Sequence, residues 1–226
     1  MKLTYYGHSC FSVEMQGKKI VFDPYITPNE MANNIDINII EADFILVSHG
    51  HIDHIADCVA LAKRTEATVV CSWEISEWLG KQGVKKTHPM NTGGKWLFNF
   101  GTVKCINALH SSSLPDGSYG GNPLGFILTS VNKNFYYSGD TALTLDMQLI
   151  PRWANLDFAV LPIGDNFTMD YADAIEAAKM VNVTSVLGVH YDTFPYIKIN
   201  HQQVKQSFAA EGITLHLPTI GQTIEL

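Results

Sequence analysis

The sequence predicts a layered α/β (α+β) fold, with two mixed β-sheets packed together and helices on the outside. Three observations predict it. Strand-like runs dominate the first quarter of the chain. Strand–helix units follow in the second half. Several of the strands are wholly apolar, as strands covered on both faces are. With 226 residues, 46% apolar and 16% charged, the chain has ample material for a core and reads as one domain, 1–226.

Taken in order, Leu3–Tyr6, Cys10–Glu14 and Lys19–Phe22 are separated by Gly7 and Gln16-Gly17, which predicts a small antiparallel meander. Residues 24–38 read as a long loop rich in Pro and Asn. Phe44–Val47 reads as a buried strand. Residues 55–65 have helical spacing, with Ile55, Val59 and Ala62 on one face and Lys63 and Arg64 in the last turn. Thr68–Cys71 reads as a strand, and residues 72–80 as a helix capped by Ser72 and stopped by Gly80. Strands are expected at 84–87, 95–98 and 102–109, then a hairpin of 124–131 with 135–137 around Asn132-Lys133-Asn134. A helix around 143–150, a strand at 158–161, a helix at 173–181, a strand at 185–189 and a helix at 201–210 follow. Two strands around Pro218 and Gly221 close the chain.

Lys plus Arg is 15 and Asp plus Glu is 22, a net charge of −7, which lacks the basic footprint of a nucleic-acid binder. The N-terminal residues have no apolar leader, and no run is apolar for the length of a membrane helix. The expectation is a soluble cytoplasmic protein without membrane or nucleic-acid partners. Cys10, Cys58, Cys71 and Cys105 show no CxxC spacing and are expected to be reduced core residues. The sequons at Asn166 and Asn182 carry no meaning in a chain that is not secreted.

The feature that carries chemistry is Ser48-His49-Gly50-His51-Ile52-Asp53-His54. It follows an apolar strand and precedes a helix, where layered α/β folds bind ligands. Imidazole nitrogen and carboxylate oxygen are natural ligands of zinc and similar metals. Other apolar runs end in the same way, at His110, at Asp140 after Tyr137-Ser138-Gly139, and at His190. If those strands lie side by side, their ends meet. Five imidazoles and two carboxylates are enough for two ions. The simplest division gives His49, His51 and His110 to one ion and Asp53, His54 and His190 to the other, with Asp140 between them. His8 reads either as a residue facing the substrate or supporting a ligand, or as a structural imidazole. Asp23 reads either as a carboxylate orienting a ligand His or as a turn residue. His88, His201 and His216 have no partner pattern.

The string 48–54, followed at these intervals by His110, Asp140 and His190, resembles the metallo-β-lactamase superfamily over nearly the whole chain. Gly7-His8-Ser9, Phe22-Asp23-Pro24, His110-Ser111-Ser112, Ser138-Gly139-Asp140 and the segment 163–169 are similar to its uncharacterised bacterial metal-dependent hydrolase branch, near the ascorbate-6-phosphate lactonase group. The resemblance implies a four-layer αββα sandwich with metals at one edge, and a hydrolase of unestablished substrate. Antibiotic-degrading members have Cys where this chain has Asp140, which disfavours lactam hydrolysis. Diiron flavoprotein members have Glu where this chain has His51, which disfavours oxygen or nitric oxide reduction. Asp170 stands where the branch leads one to expect Gly.

Two divalent ions, zinc by the histidine count or else manganese, nickel or iron, would make a bridging hydroxide available at neutral pH. Asp53, besides ligating, is expected to orient the hydroxide or to shuttle its proton to the leaving group. The rim loops, taken as 24–40, 111–123, 164–172 and 191–199, carry Glu30, Asp36, Asp116, Asp165, Asp170 and Asp192 against one base, Lys198. They are also rich in aromatics: Tyr25, Tyr119, Phe167, Tyr171, Tyr191, Phe194 and Tyr196. A polyanion would want Arg or Lys clamps. The expected partner is therefore a small, weakly charged ester, lactone or amide. A phosphodiesterase or nuclease, or a non-catalytic metal-binding module, are the alternatives, and a homo-oligomer stays open.

Overall fold

The computed structural model describes residues 1–226. The first sheet is built from β1 (Lys2–Gly7), β2 (Cys10–Met15), β3 (Lys18–Phe22), β4 (Phe44–Leu46), β5 (Thr68–Cys71) and β6 (Thr87–Pro89). The second is built from β7 (Lys95–Phe98), β8 (Gly101–Asn107), β9 (Leu124–Thr129), β10 (Asn134–Tyr137), β11 (Phe158–Pro162), β12 (Ser185–Val189) and β13 (Thr214–His216). The last strand, β14 (Thr223–Glu225), returns to the first sheet beside β1. The two halves are more alike than the sequence suggests. Each sheet begins as an antiparallel meander, β1–β3 or β7–β10, and continues with parallel strands.

Alternation explains the packing. Leu3, Tyr5, Phe11, Val13, Ile20 and Phe22 of one sheet meet Phe126, Leu128, Phe135, Tyr137, Phe158 and Val160 of the other, and all are buried. Phe11 stacks on Phe22 at 4.4 Å, Phe135 stacks on Phe158 at 4.8 Å, and Phe22 meets Phe135 edge-on across the sheets at 5.8 Å. Two further apolar layers lie outside. The residues of α1 (Ile52–Ile55), α2 (Cys58–Thr65) and α3 (Trp73–Lys81) cover the first sheet, and those of α4 (Tyr171–Met180) and α5 (His201–Ala210) cover the second. The order is helix, sheet, sheet, helix. All four cysteines are buried free thiols.

Several elements differ from expectation for local reasons. The helix expected at 55–65 starts earlier and breaks between α1 and α2. Asp57 sits at the break, and its carboxylate accepts from the Ile26 and Thr27 amides while its own amide donates to the Pro24 carbonyl. That tether competes with helix continuation. The helix capped by Ser72 runs through Gly80 and stops before Gly83, which has a left-handed φ of 83°. The strand expected at 84–87 is displaced to 87–89, and the one at 102–109 ends at Asn107. Residues 145–152 form 3-10 turns rather than an α-helix, with Pro151 inside them lacking a donor. The loop 24–38 contains 3-10 turns begun by Asn29 and Asp36, whose side chains cap them. Asp170 has φ −79° and accepts from the Asp173 amide as the N-cap of α4, so no glycine is needed there.

Phe135→Ala should cost about 3–5 kcal/mol, because it opens a cavity between the sheets. Urea unfolding followed by circular dichroism checks this.

Candidate metal centre

The chemistry-bearing residues sit where strands end. His49 and His51 follow β4, and Asp53 and His54 lie in α1. His110 follows β8, Asp140 follows β10 and His190 follows β12. His8 lies between β1 and β2, and Asp23 directly follows β3. His8, Asp23 and His190 all adopt left-handed backbone, at φ 53°, 40° and 55°. Strain of this kind persists only where surroundings enforce it. Here the His190 amide donates to the His8 carbonyl at 3.0 Å, which ties the end of one sheet to the end of the other, and Tyr5 Oη donates to the same carbonyl. Gly139 is also left-handed, and a Cβ there would lie 2.7 Å from the Leu124 carbonyl oxygen and 2.9 Å from Ser48 Cβ. Only glycine lets Asp140 come this close to the 48–54 string.

All seven sequence-expected ligands converge. Asp140 Oδ2 lies 3.0 Å from His190 Nε2, 3.1 Å from His54 Nε2, 3.8 Å from His110 Nε2 and 4.0 Å from His49 Nε2. Around it are three groups whose ligand atoms all lie within 4.8 Å of one another: His49, His51 and His110; His8, Asp53, His54 and His190; and, behind them, Asp23, His49 and His54. The first is a group expected from spacing, the second is the other expected group with His8 added, and the third was not expected. His8 is buried; its Nε2 is 3.0 Å from Asp53 Oδ2 and its Nδ1 is 3.0 Å from Thr193 Oγ1. Asp23 stands behind the ligands. It accepts from the Ser48 amide (2.7 Å), from Ser48 Oγ, from Tyr137 Oη and from His54 Nδ1 (2.8 Å).

These bonds set the tautomers, and the tautomers show that the donor set fits a metal. With its Nδ1 proton given to Asp23, His54 turns a bare Nε2 towards the Asp140 carboxylate. Ser48 Oγ gives its proton to Asp23 and so accepts from His49 Nδ1, leaving His49 Nε2 bare. His51 Nδ1 lies 3.0 Å from His49 Nε2, and its Nε2 faces Ser111 Oγ at 3.4 Å. At His54 and Asp140, then, an acceptor faces an acceptor. The buried His54 Nε2 and Asp140 Oδ1 have no hydrogen-bond partner in the protein. Such an arrangement calls for positive charge at its centre.

The titration tendencies agree. Burial pushes the His49, His51 and His110 imidazoles below their usual range, towards the neutral form that ligates metals. Burial also opposes charge on His54 and His190, yet the neighbouring Asp140 outweighs it; His54 is raised well above its usual value and His190 to about 9. Without a metal, protons collect where a cation would sit. Burial would raise the carboxyls of Asp53 and Asp140, but the surrounding imidazoles hold both well below the usual carboxylate range. Burial takes His8 down to about 4, so it is neutral.

The cluster opens into a cavity of about 520 Å³ lined by His51, Asp53, His110, Ser111, Asp140 and His190 at its base and by Ile52, Phe167, Phe194, Pro195 and Tyr196 above. Of the aromatics expected at the rim, Phe167, Phe194 and Tyr196 line it. Tyr25 packs against His8 instead, Tyr191 stacks on Tyr5, Tyr119 bonds Asn122, and Tyr171 accepts from Gln203. None of the expected rim acids lines it; Asp192 is held by His201 at 2.6 Å. Ser48, Tyr137 and Thr193 support the cluster, a role the sequence does not assign to any of them although Ser48 opens the 48–54 string. Only Tyr137 carried a signal, since it shares a strand face with the core residue Phe135 and ends three residues before Asp140.

The fold and the cluster define a metal-dependent hydrolase of the αββα sandwich type. The family described as the β-lactamase superfamily domain matches residues 18–191. A "UPF0173 metal-dependent hydrolase" of Flavobacterium johnsoniae is 51% identical over the full length of both chains, and one of Methylacidiphilum infernorum is 46% identical over the same span. Among solved structures, Igni18, a metallo hydrolase from Ignicoccus hospitalis, is 33% identical, with a TM-score of 0.88 over 99% of this chain and 97% of that one. An isothiocyanate hydrolase from Delia radicum gut bacteria, 17% identical, has a TM-score of 0.79 over 100% of this chain and 99% of its own, and shares the fold. The chain thus belongs to the metallo-β-lactamase superfamily, among its UPF0173 metal-dependent hydrolases.

Asp23→Ala should destabilise the protein by about 3–5 kcal/mol, because it strands several buried donors at once. Tyr137→Phe, which removes one donor, should cost about 1 kcal/mol. Thermal unfolding of the two variants checks the ratio.

Proposed function

We propose that the chain hydrolyses a small, weakly charged ester, lactone or amide with the help of two divalent cations, zinc by the predominance of imidazole donors. His49, His51 and His110 would hold one cation, and Asp53, His54 and His190 the other, with Asp140 shared between them. The observation that carries this reading is the position of Asp140 Oδ2, within 4.0 Å of four imidazole nitrogens at the base of a cavity lined by no Lys or Arg. When bound, such a metal pair makes a water nucleophilic at neutral pH and stabilises the oxygen that gains charge.

The chain's own residues supply the rest. Asp53 Oδ2 is tied to His8, whereas Oδ1 has no hydrogen bond within the protein. Oδ1 would then be free to orient the attacking water and pass its proton on towards the leaving group. His8 acts through Asp53. Thr193 Oγ1 hydrogen-bonds His8 Nδ1 and His8 Nε2–H donates to Asp53, which fixes the carboxylate plane. A carboxylic ester or amide has no formal charge to neutralise, so a mouth without basic side chains suits it and does not suit a phosphodiester. The buried free thiols suit a reducing compartment, the cytoplasm.

Asp140→Ala should lower metal content and turnover together; full metal content with full turnover overturns the shared-ligand role. His8→Gln and Thr193→Val should weaken metal retention about 10–100-fold, read by competition with a chelator, while Thr193→Ser retains most of the affinity. Metal-loaded protein should hydrolyse p-nitrophenyl esters or lactones in preference to bis-p-nitrophenyl phosphate. Phosphodiester turnover without ester turnover contradicts the reading.

A further inference from the structure

The upper wall of the cavity is an unusual surface. Ile52 is 56% exposed, Phe167 49% and Tyr196 75%, and all three face the same opening. Large apolar side chains left in water around a single concavity mark a binding surface. The wall is also stiff. Phe167 follows Asp165 and Asn166, two non-glycine residues in left-handed backbone at φ 66° and 58°. That loop is closed by the Asp165 amide on the Met169 carbonyl and anchored by Met169, which is buried. Tyr196 rides on the 3-10 turn Pro195–Ile197, which begins at Pro195 and is rooted by the fully buried Ile197. The Asp192 amide on the Ile197 carbonyl closes this second loop, and Asp192 is left-handed too, at φ 62°. Backbone strain thus gathers on the two loops that present the aromatic rings. The rings meet edge-on, with centroids 6.3 Å apart. Ile52 is placed by its neighbours in sequence, His51 and Asp53, so the apolar surface begins one residue from the cluster.

We propose that the substrate carries an apolar arm, aromatic or short-alkyl, next to the bond that is cleaved, and that Ile52, Phe167 and Tyr196 grip this arm. The inference rests on the hydrolase reading above for the cleaved bond, but its ground is the wall itself. A rigid apolar surface loses little entropy on binding and removes an arm from water at about 0.8 kcal/mol per methylene, so each methylene buried should raise kcat/KM up to about fourfold. Nothing on the wall rewards a charged arm.

Two measurements test it. In the first, p-nitrophenyl acetate, butyrate and hexanoate are compared on metal-loaded protein. The hexanoate-to-acetate ratio of kcat/KM should exceed tenfold. It should fall at least fivefold in Phe167→Ala and in Tyr196→Ala, and should not move in Tyr119→Ala, whose exposed ring bonds Asn122 away from the cavity. In the second, protein labelled on its Phe and Tyr rings is titrated with 4-phenyl-2-butanone, an uncharged ketone, and with acetone. Resonances of Phe167 and Tyr196 should shift with the phenyl ketone and not with acetone. Ester turnover with a flat chain-length profile and no ring shifts overturns the apolar arm and leaves the hydrolase standing. Ring shifts without ester turnover keep the arm and remove the ester.

Discussion

A buried negative charge ringed by imidazoles is the constraint on which this structure turns. Asp140 lies out of water with imidazole nitrogens on several sides, and two of those imidazoles have already committed their protons outward, His54 to Asp23 and His49 to Ser48. Such a centre favours positive charge inside it, whether a cation or the protons drawn to His54 and His190, and the surrounding residues hold the donors in place. Left-handed backbone at His8, Asp23 and His190 turns three chain segments sharply at their strand ends. Asp23, wholly buried, collects the protons that would otherwise occupy the ligand positions. Fixed donors then need no rearrangement when a charge develops in their midst.

Much of this was legible in the sequence because the decisive features are local. The 48–54 string and the histidines that end apolar strands need only a parallel or adjacent arrangement of those strands to meet, and the apolar runs themselves announce burial. The less legible parts depend on partners far away in the chain. Asp57 breaks a well-patterned helix because it bonds amides about thirty positions earlier. Asp23 is indistinguishable from a turn residue until Tyr137 and His54 are seen to converge on it. Thr193 offers no pattern at all; its role exists only because His8 reaches it. The rim was misjudged for a related reason. Loop composition does not say which side chains turn inward, so acids that face solvent were counted beside rings that line the mouth.

The similarity of the halves bears on how such a centre arises. Each half supplies a meander followed by parallel strands, and the two sheets carry their helices on opposite outer faces. The ends of the parallel strands bring their loops to one edge of the sandwich. Ligands drawn from β4, β8, β10 and β12 are therefore neighbours in space although they are scattered in sequence. Igni18, matched over nearly the full length of both chains, shares this plan.

The amide of His190 on the carbonyl of His8 turns the centre into a seam. The loops and helix that follow strands of the first sheet contribute His8, His49, His51, Asp53 and His54, and the loops of the second sheet contribute His110, Asp140 and His190. The group of His49, His51 and His110 and the group of His8, Asp53, His54 and His190 each draw donors from both sheets. The pocket therefore depends on the relative register of the two sheets, which the His190–His8 hydrogen bond helps to hold.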